Sequence, residues 1–396
     1  MTDDQPVARE DTEKDPMVSG MVVVAAGLVL AALPLFMVGG LAVQIKGEFG
    51  FTEAALGGAV TAGFVVGALS APVAGRIADR VGPRRSIYFG SSMGVASMVG
   101  LGLFTDGWAT MVVFLCLAGA AVALTDPGLA ILIDRAVAPR RHGLAFGVKE
   151  ASIPAATLAA GIAVPAIALT VGWRWAFAVG LLPWIVILVM LPRLDIRPRL
   201  DGSPVGFGAP PVAPPRRRAL LLAAVAASLG TTAASGVGIF LTDSAVSMGL
   251  SPANAGLLLA TGSVAGIVAR VGTGVMADRS GGPQFKLIAV MLGVGALTLA
   301  LGGTGNIVLL ILGTVGAFTG GWAWTGIFFL SLVKTHPDRP GAVAGIGAAG
   351  LGVGNAAGPL IFGLVAQSFS FAAAWFVAAV IASLGSVLMM LARSRF

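Results

Sequence analysis

The sequence predicts an all-α membrane protein of twelve transmembrane helices, arranged as two homologous six-helix bundles. Three observations carry that expectation: an apolar composition, twelve stretches long enough to cross a bilayer, and a repeat relating the two halves of the chain. Hydrophobic residues make up 57% of the 396 positions and charged residues 11%, with a mean hydropathy of +0.93. Length alone would suggest two or three soluble domains, but this composition belongs to a chain solvated mostly by lipid. Its 57 glycines are the small residues that let membrane helices approach closely. A formal charge of +7 could suggest nucleic acid as a partner, yet the basic residues sit in short clusters between apolar runs rather than along one face, so that reading is rejected. Cys116 is the one cysteine, which rules out a disulfide framework. His142 and His336, the two histidines, fall in polar loops, so neither a metal nor any other cofactor is expected.

Residues 1–16, MTDDQPVAREDTEKDP, are polar and acidic and read as a disordered cytoplasmic tail. An acidic tail before an apolar run of about 25 residues reads as a retained span rather than a cleaved signal. A helix needs about 20 apolar residues to cross the hydrocarbon, with its backbone satisfied internally. Stretches 17–43, 54–75, 86–105, 108–133, 143–168 and 174–192 meet that requirement in the first half. Stretches 219–243, 253–275, 285–303, 306–333, 342–367 and 371–392 meet it in the second. Between them, 193–218 (RLDIRPRLDGSPVGFGAPPVAPPRRR) is rich in proline and arginine without apolar periodicity, and reads as a cytoplasmic linker. The domains are therefore 17–192 and 219–396. With both termini cytoplasmic, 22 of the 25 Lys and Arg residues fall in tails or loops on that side, with Lys46 and Arg174 opposite and Lys149 inside a span. That asymmetry sets the orientation.

GRIADRVGPRR at 75–85 returns as GVMADRSGGP at 274–283. At an offset of 199, Gly75, Ala78, Asp79, Arg80 and Gly82 meet Gly274, Ala277, Asp278, Arg279 and Gly281. FTEAALG (51–57) meets LSPANAG (250–256) at the same offset, and APRRHG (138–143) meets HPDRPG (336–341) at 198. Three landmarks in matching loops indicate an internal duplication. Two related bundles of this kind place a solute site near the midplane at their interface.

Twelve spans as six plus six, a long central loop, and the G-x-x-A-D-R-x-G-x-R-R loop after span 2 resemble the major facilitator superfamily along essentially the whole chain. The resemblance implies a secondary transporter working by alternating access. It also implies that the motif's charges latch the halves on the cytoplasmic side: Asp79 and Asp278 as carboxylates, with Arg80, Arg84 and Arg279 beside them. A carboxylate facing a helix N-terminus gains about 0.3–1 kcal/mol when exposed and up to about 2 when partly buried. The second copy lacks a basic pair after Gly282, so the Asp79 latch is expected to be the stronger.

Charged side chains at the bilayer centre cost about 2.5–3.5 kcal/mol on insertion scales, so a survivor needs a partner or a task. Asp126 in span 4 and Lys149 and Glu150 in span 5 stand out. Asp126 and Lys149 lie at similar depth on either side of the turn near Pro139, which makes an ion pair geometrically reasonable. Three readings stay open: a structural pair, Lys149 binding an anionic solute group, and Asp126 or Glu150 carrying a proton. Glu150 is about 100° around the helix from Lys149, so the two are expected in different environments. In span 10, Trp322 and Trp324 lie near the midplane, away from the interfacial belt where tryptophan usually anchors, and read as an aromatic wall. Thr231, Thr232 and Ser235 in span 7 and Asn355 in span 11 are further polar candidates. Pro127, Pro154 and LGVGNAAGP (351–359) read as flex points.

Leu115 stands where drug exporters of that family carry an arginine, and the span 5 Gly-Pro signature is reduced to KEASIPAATLAAG (149–161). A multidrug exporter is therefore the weaker reading. The leading one is proton-linked transport of a small organic, most simply anionic, solute across the cytoplasmic membrane by a monomer in the lipid bilayer. A passive uniporter is the main rival, and a receptor on a transporter fold a remote one. No nucleophile–base pair, paired-acid motif or P-loop is present to suggest an enzyme or direct drive by ATP.

Overall fold

The computed structural model describes residues 16–137, 141–194, 214–280, 282–336 and 340–396. These residues form twelve helices long and apolar enough to cross a membrane. Spans 1 to 6 are Met17–Gly40, Glu53–Val81, Pro83–Leu103, Trp108–Ala136, His142–Ala168 and Trp173–Arg193. Spans 7 to 12 are Arg217–Ser247, Pro252–Arg279, Phe285–Gly302, Ile307–Thr335, Val343–Ser368 and Phe371–Arg393. The acidic tail (residues 1–15), the linker core (195–213), the turn residues 138–140, Gly281 and residues 337–339 lie outside the described residues.

The charged motif is not the loop the sequence predicts. Span 2 continues as helix through Val81 and span 3 begins at Pro83, leaving Gly82 alone between them at φ 82°. Glycine adopts that backbone without a Cβ penalty, and proline at the first helical position has no N–H to leave unpaired. Asp79 and Arg80, like Asp278 and Arg279, thus occupy last helical turns. The repeat's other landmark is a pair of helix caps. Thr52 accepts from the Ala55 N–H at 3.2 Å and Ser251, 199 positions on, from the Asn254 N–H at 3.3 Å.

Span 1 packs on spans 4 and 5 in the first half, and span 7 on spans 11 and 12 in the second. The halves meet along two seams, span 5 against span 8 and span 2 against span 11. Glycine permits the first. A methyl at Gly161 would stand 2.6 Å from the Gly256 carbonyl oxygen, and one at Gly274 2.6 Å from that of Gly143. Without a hydrophobic driving force in lipid, this close packing supplies much of the association. In the second seam the Thr61 hydroxyl donates to the Ala356 carbonyl at 2.7 Å.

The helices run on through Pro127, Pro154 and Pro359. The break comes instead in span 10, where Ile307–Gly316 passes through a π-turn at Ala317–Gly321 and an irregular step before Thr325–Thr335 resumes. Freed backbone groups at membrane depth need partners inside the protein, and that need shapes the site described below.

On the side opposite the termini, the short helix Ala42–Phe49 follows span 1. Glu48 there accepts from the Trp173 indole N–H at 2.6 Å and from Arg174 at 2.7 Å. The indole bond first and the guanidinium second hold its carboxyl below the usual glutamate value. A lowered folded-state pKa gives stability that is present above the unfolded value, about 4.3, and lost as pH falls through the folded one. Thermal melts of Glu48→Gln should accordingly lose acid sensitivity below about pH 4.3; an unchanged acid limb would contradict the contact's role. Overpacking the seam with Gly161→Val should cost about 1–3 kcal/mol and lower the melting temperature. Gly58→Ala, with nothing within 4 Å of the added carbon, should not lower it and should raise it slightly, since alanine is the better helix former.

Candidate functional site

Span 5 carries Lys149 and Glu150 into the interior, at 6% and 5% exposure. Two buried charges in lipid need opposite charges at hand. The Lys149 ammonium lies 2.6 Å from Asp126 Oδ1, on span 4, and 3.2 Å from Glu150 Oε1. Asp126 forms the open edge of this group, with 43% of its side chain exposed. The expectation that Lys149 and Glu150 face different environments is corrected: the Cβ atoms diverge, but the long lysine stem brings its ammonium back to the neighbouring carboxylate. Glu150 is bound across the seam as well, since the Thr325 hydroxyl of span 10 donates to its Oε2 at 3.1 Å.

The loop-charge count took Arg270 for a cytoplasmic loop residue although it falls within the stretch 253–275; the cytoplasmic Lys and Arg residues number 21, and the structure buries Arg270. Arg270 lies in span 8, nine residues before Arg279 and so about 13 Å deeper along the helix, at 1% exposure. One guanidinium nitrogen donates to the Glu150 main-chain carbonyl and the other to the Trp322 carbonyl at 3.0 Å. The guanidinium also lies over the Trp322 ring, 5.3 Å from its centroid. The broken backbone of span 10 thus gives Arg270 an acceptor, and Arg270 satisfies the break. An arginine inside GLLLATGSVAGIVARVGTGVM (256–276) was the available signal.

The remaining sequence candidates separate. Trp322 sits on the seam, packed against Phe36 of span 1 at 5.6 Å and Phe318 at 5.5 Å between centroids. Trp324 does not share a wall with it. Two positions further along the irregular step, it is fully buried within the second half, its indole N–H donating to the Gly321 carbonyl at 2.8 Å. Thr231 bonds the Ala227, Ser228 and Leu351 carbonyls, tying span 7 to span 11. Thr232 bonds Ser228 and Ser235 bonds Gly354, so these hydroxyls also serve packing within the second bundle. Asn355 is half-buried beside the span 2–span 11 seam and makes no side-chain hydrogen bond among the described residues.

The two ends of the molecule are tied by different means. Opposite the termini, Lys46 bonds Asp243 of span 7 at 2.6 Å and also pairs with Glu53. Burial opposes the lysine's charge, but the hydrogen bonds to Asp243 and Glu53 outweigh it and hold its pKa above the ordinary value. The Thr242 hydroxyl donates to the Gly39 carbonyl at 2.9 Å beside this pair, pressing span 7 on span 1. On the termini side, the Asp278 carboxylate accepts from the Gly143 and Leu144 N–H groups at 2.7 and 2.8 Å, at the start of span 5.

Residues 24–345 match the Major Facilitator Superfamily family profile. The chain belongs to the major facilitator superfamily. It is a multi-pass membrane protein, and its membership supports a membrane transporter. A similar relative is an uncharacterised MFS-type transporter of Mycobacterium tuberculosis, 29% identical over 140 residues. That match takes in 34% of this chain and spans about a quarter (24%) of the relative's length.

Among the described residues the superfamily's charged motif is engaged through its second copy, Asp278, whereas the sequence ranks Asp79 first; residues 337–339, which precede span 11, lie outside the described residues. Asp278 has a helix N-terminus to receive it, and Gly143, lacking a side chain, lets the carboxylate reach the amides. Asp79 is exposed and makes no hydrogen bond or ion pair among the described residues. Arg80 and Arg279 are exposed, while Arg84 turns to the Pro192 and Leu194 carbonyls at the end of span 6. Asp278→Asn should weaken the cap by up to about 2 kcal/mol, a roughly thirtyfold loss of hydrogen-exchange protection at Gly143 and Leu144. Asp79→Asn should leave those amides unchanged, and equal effects of the two variants would contradict the assignment.

Proposed function

We propose that the chain is a proton-coupled secondary transporter of a small organic anion, working by alternating access between its two bundles. The observation supporting this reading is the Lys149 ammonium held between two carboxylates, one buried and one half-exposed, beside the seam. Asp126, at the open edge, is the group a proton can reach. Protonating it leaves Lys149 to Glu150 alone. The buried group of Asp126, Lys149, Glu150 and Arg270 then carries one net positive charge, where it carried none before. In a low-dielectric setting that charge favours an arriving anion. By linkage, the proton and the anion each improve the other's binding by the same factor.

The ties at the two ends fit alternating closure. Lys46 with Asp243 and Glu53 would hold one side, and Asp278 at the start of span 5 the other. Each is a small set of polar contacts, enough to bias a two-state equilibrium without freezing it. The positive-inside asymmetry supports cytoplasmic termini, and the reading takes the membrane to be the cytoplasmic one. Solute, proton and lipid are the partners this reading requires, and a monomer is sufficient.

Ligand-induced stabilisation finds the solute class first, since anything binding the folded state raises its melting temperature by mass action. Uptake of a hit into proteoliposomes then tests the coupling. Accumulation above equilibrium should depend on an imposed pH gradient and collapse with a protonophore. Asp126→Asn should retain equilibration while losing accumulation. Accumulation indifferent to the protonophore would reject proton coupling, and equilibration without accumulation in the wild type would favour a uniporter.

A further inference from the structure

We propose that Arg270 is the anion-receiving residue of the solute site, taking the carboxylate of a small aromatic acid whose ring replaces Phe36 on the face of Trp322. The proposal rests on the transporter reading above and adds a residue and a solute class to it.

Lys149 is poorly placed for the task in this state, because two carboxylates already occupy its ammonium. Arg270 differs in each respect. Its guanidinium is 1% exposed, yet it makes no ion pair among the described residues. The acceptors it meets are two main-chain carbonyls, and its Nε–H has no partner among the described residues. Carbonyls satisfy donors without neutralising the charge, and the carboxylate that acts on it from a distance, Glu150, is already in contact with Lys149, which leaves the guanidinium without a contacting counter-ion among the described residues. A carboxylate supplies one and matches the guanidinium's planar fork.

The seam determines when that fork is free. The Glu150 carbonyl belongs to the first half, whereas the Trp322 carbonyl belongs to the second, as Arg270 does. Parting of the halves therefore releases one guanidinium edge and leaves the other anchored on span 10. The same movement withdraws Phe36, which belongs to span 1, from Trp322. One motion uncovers a cationic fork and an aromatic face side by side. A solute with a single carboxylate on a flat apolar ring meets both surfaces.

The test is binding to the purified full-length protein in detergent, without a pH gradient, using benzoate and its neutral isostere benzamide. Benzoate should raise the melting temperature in a concentration-dependent manner and bind at least tenfold more tightly than benzamide. Arg270→Gln should abolish the preference for benzoate. Arg270→Lys, which keeps the charge without the fork, should weaken benzoate about tenfold, as should Trp322→Leu. These two variants keep the test decisive if Arg270→Gln fails to fold. Asp126→Asn, which adds a net positive charge, should bind benzoate at least as tightly while losing pH-driven accumulation. Failure of coupling alone thus leaves this site standing. No benzoate binding by the wild type, or equal binding by wild type and the Arg270 variants, would overturn it.

Discussion

Glu150 is the residue on which the arrangement at the seam depends. Its carboxylate neutralises Lys149 within the first half and accepts from Thr325 in the second, while its main-chain carbonyl receives Arg270. Removing ions from water is expensive, and in a membrane no solvent stands ready to replace a lost partner. Four charges at this depth therefore constrain one another: any movement of span 5 against span 8 must re-partner at least Arg270. Packing acts in the same direction, because the glycines facing each other along that seam leave few atoms to absorb a small shift. The seam has the properties of a contact that is either made or broken, which is what a two-state element requires.

Both ends of the molecule repeat the theme with weaker means. A lysine between two carboxylates ties span 7 to the segment joining spans 1 and 2, and an aspartate caps the start of span 5. Neither contact is large. Each joins one half to the other, so each adds to the free energy of a particular pairing of the bundles. Duplication explains why the sequence offers two copies of the capping motif. The local partner explains why the second copy is engaged, since Asp278 meets amides beside a glycine, whereas Asp79 meets none among the described residues.

Much of the fold is legible in the sequence because lipid imposes simple rules. Apolar length locates each span to within a few residues, as at 371–392 against Phe371–Arg393. Charge hides the rest. Asp79 and Asp278 read as loop residues although they complete helices, because a single glycine suffices to turn the chain at Gly82. Arg270 escapes notice for a related reason: counting charges by loop takes an arginine near a basic motif for part of it. The break in span 10 contains no proline, and its Gly320–Gly321 pair is hard to single out in a chain with 57 glycines; without the break the roles of Trp322 and Trp324 cannot be told apart. Asp126 and Lys149, by contrast, are legible as a pair, since antiparallel neighbours and a known rise per residue fix their relative depth.

The central claim is that the Glu150–Arg270 contact governs separation of the bundles. Ile77 and Met276 are equivalent under the repeat and both exposed, at 42% and 53%, so spin labels there report the distance between the halves with little disturbance. Distance distributions by pulsed electron spin resonance in lipid nanodiscs should shift towards longer separations in Arg270→Leu, which removes the guanidinium donor to the Glu150 carbonyl, relative to the wild-type background. An identical distribution in the two would contradict the account.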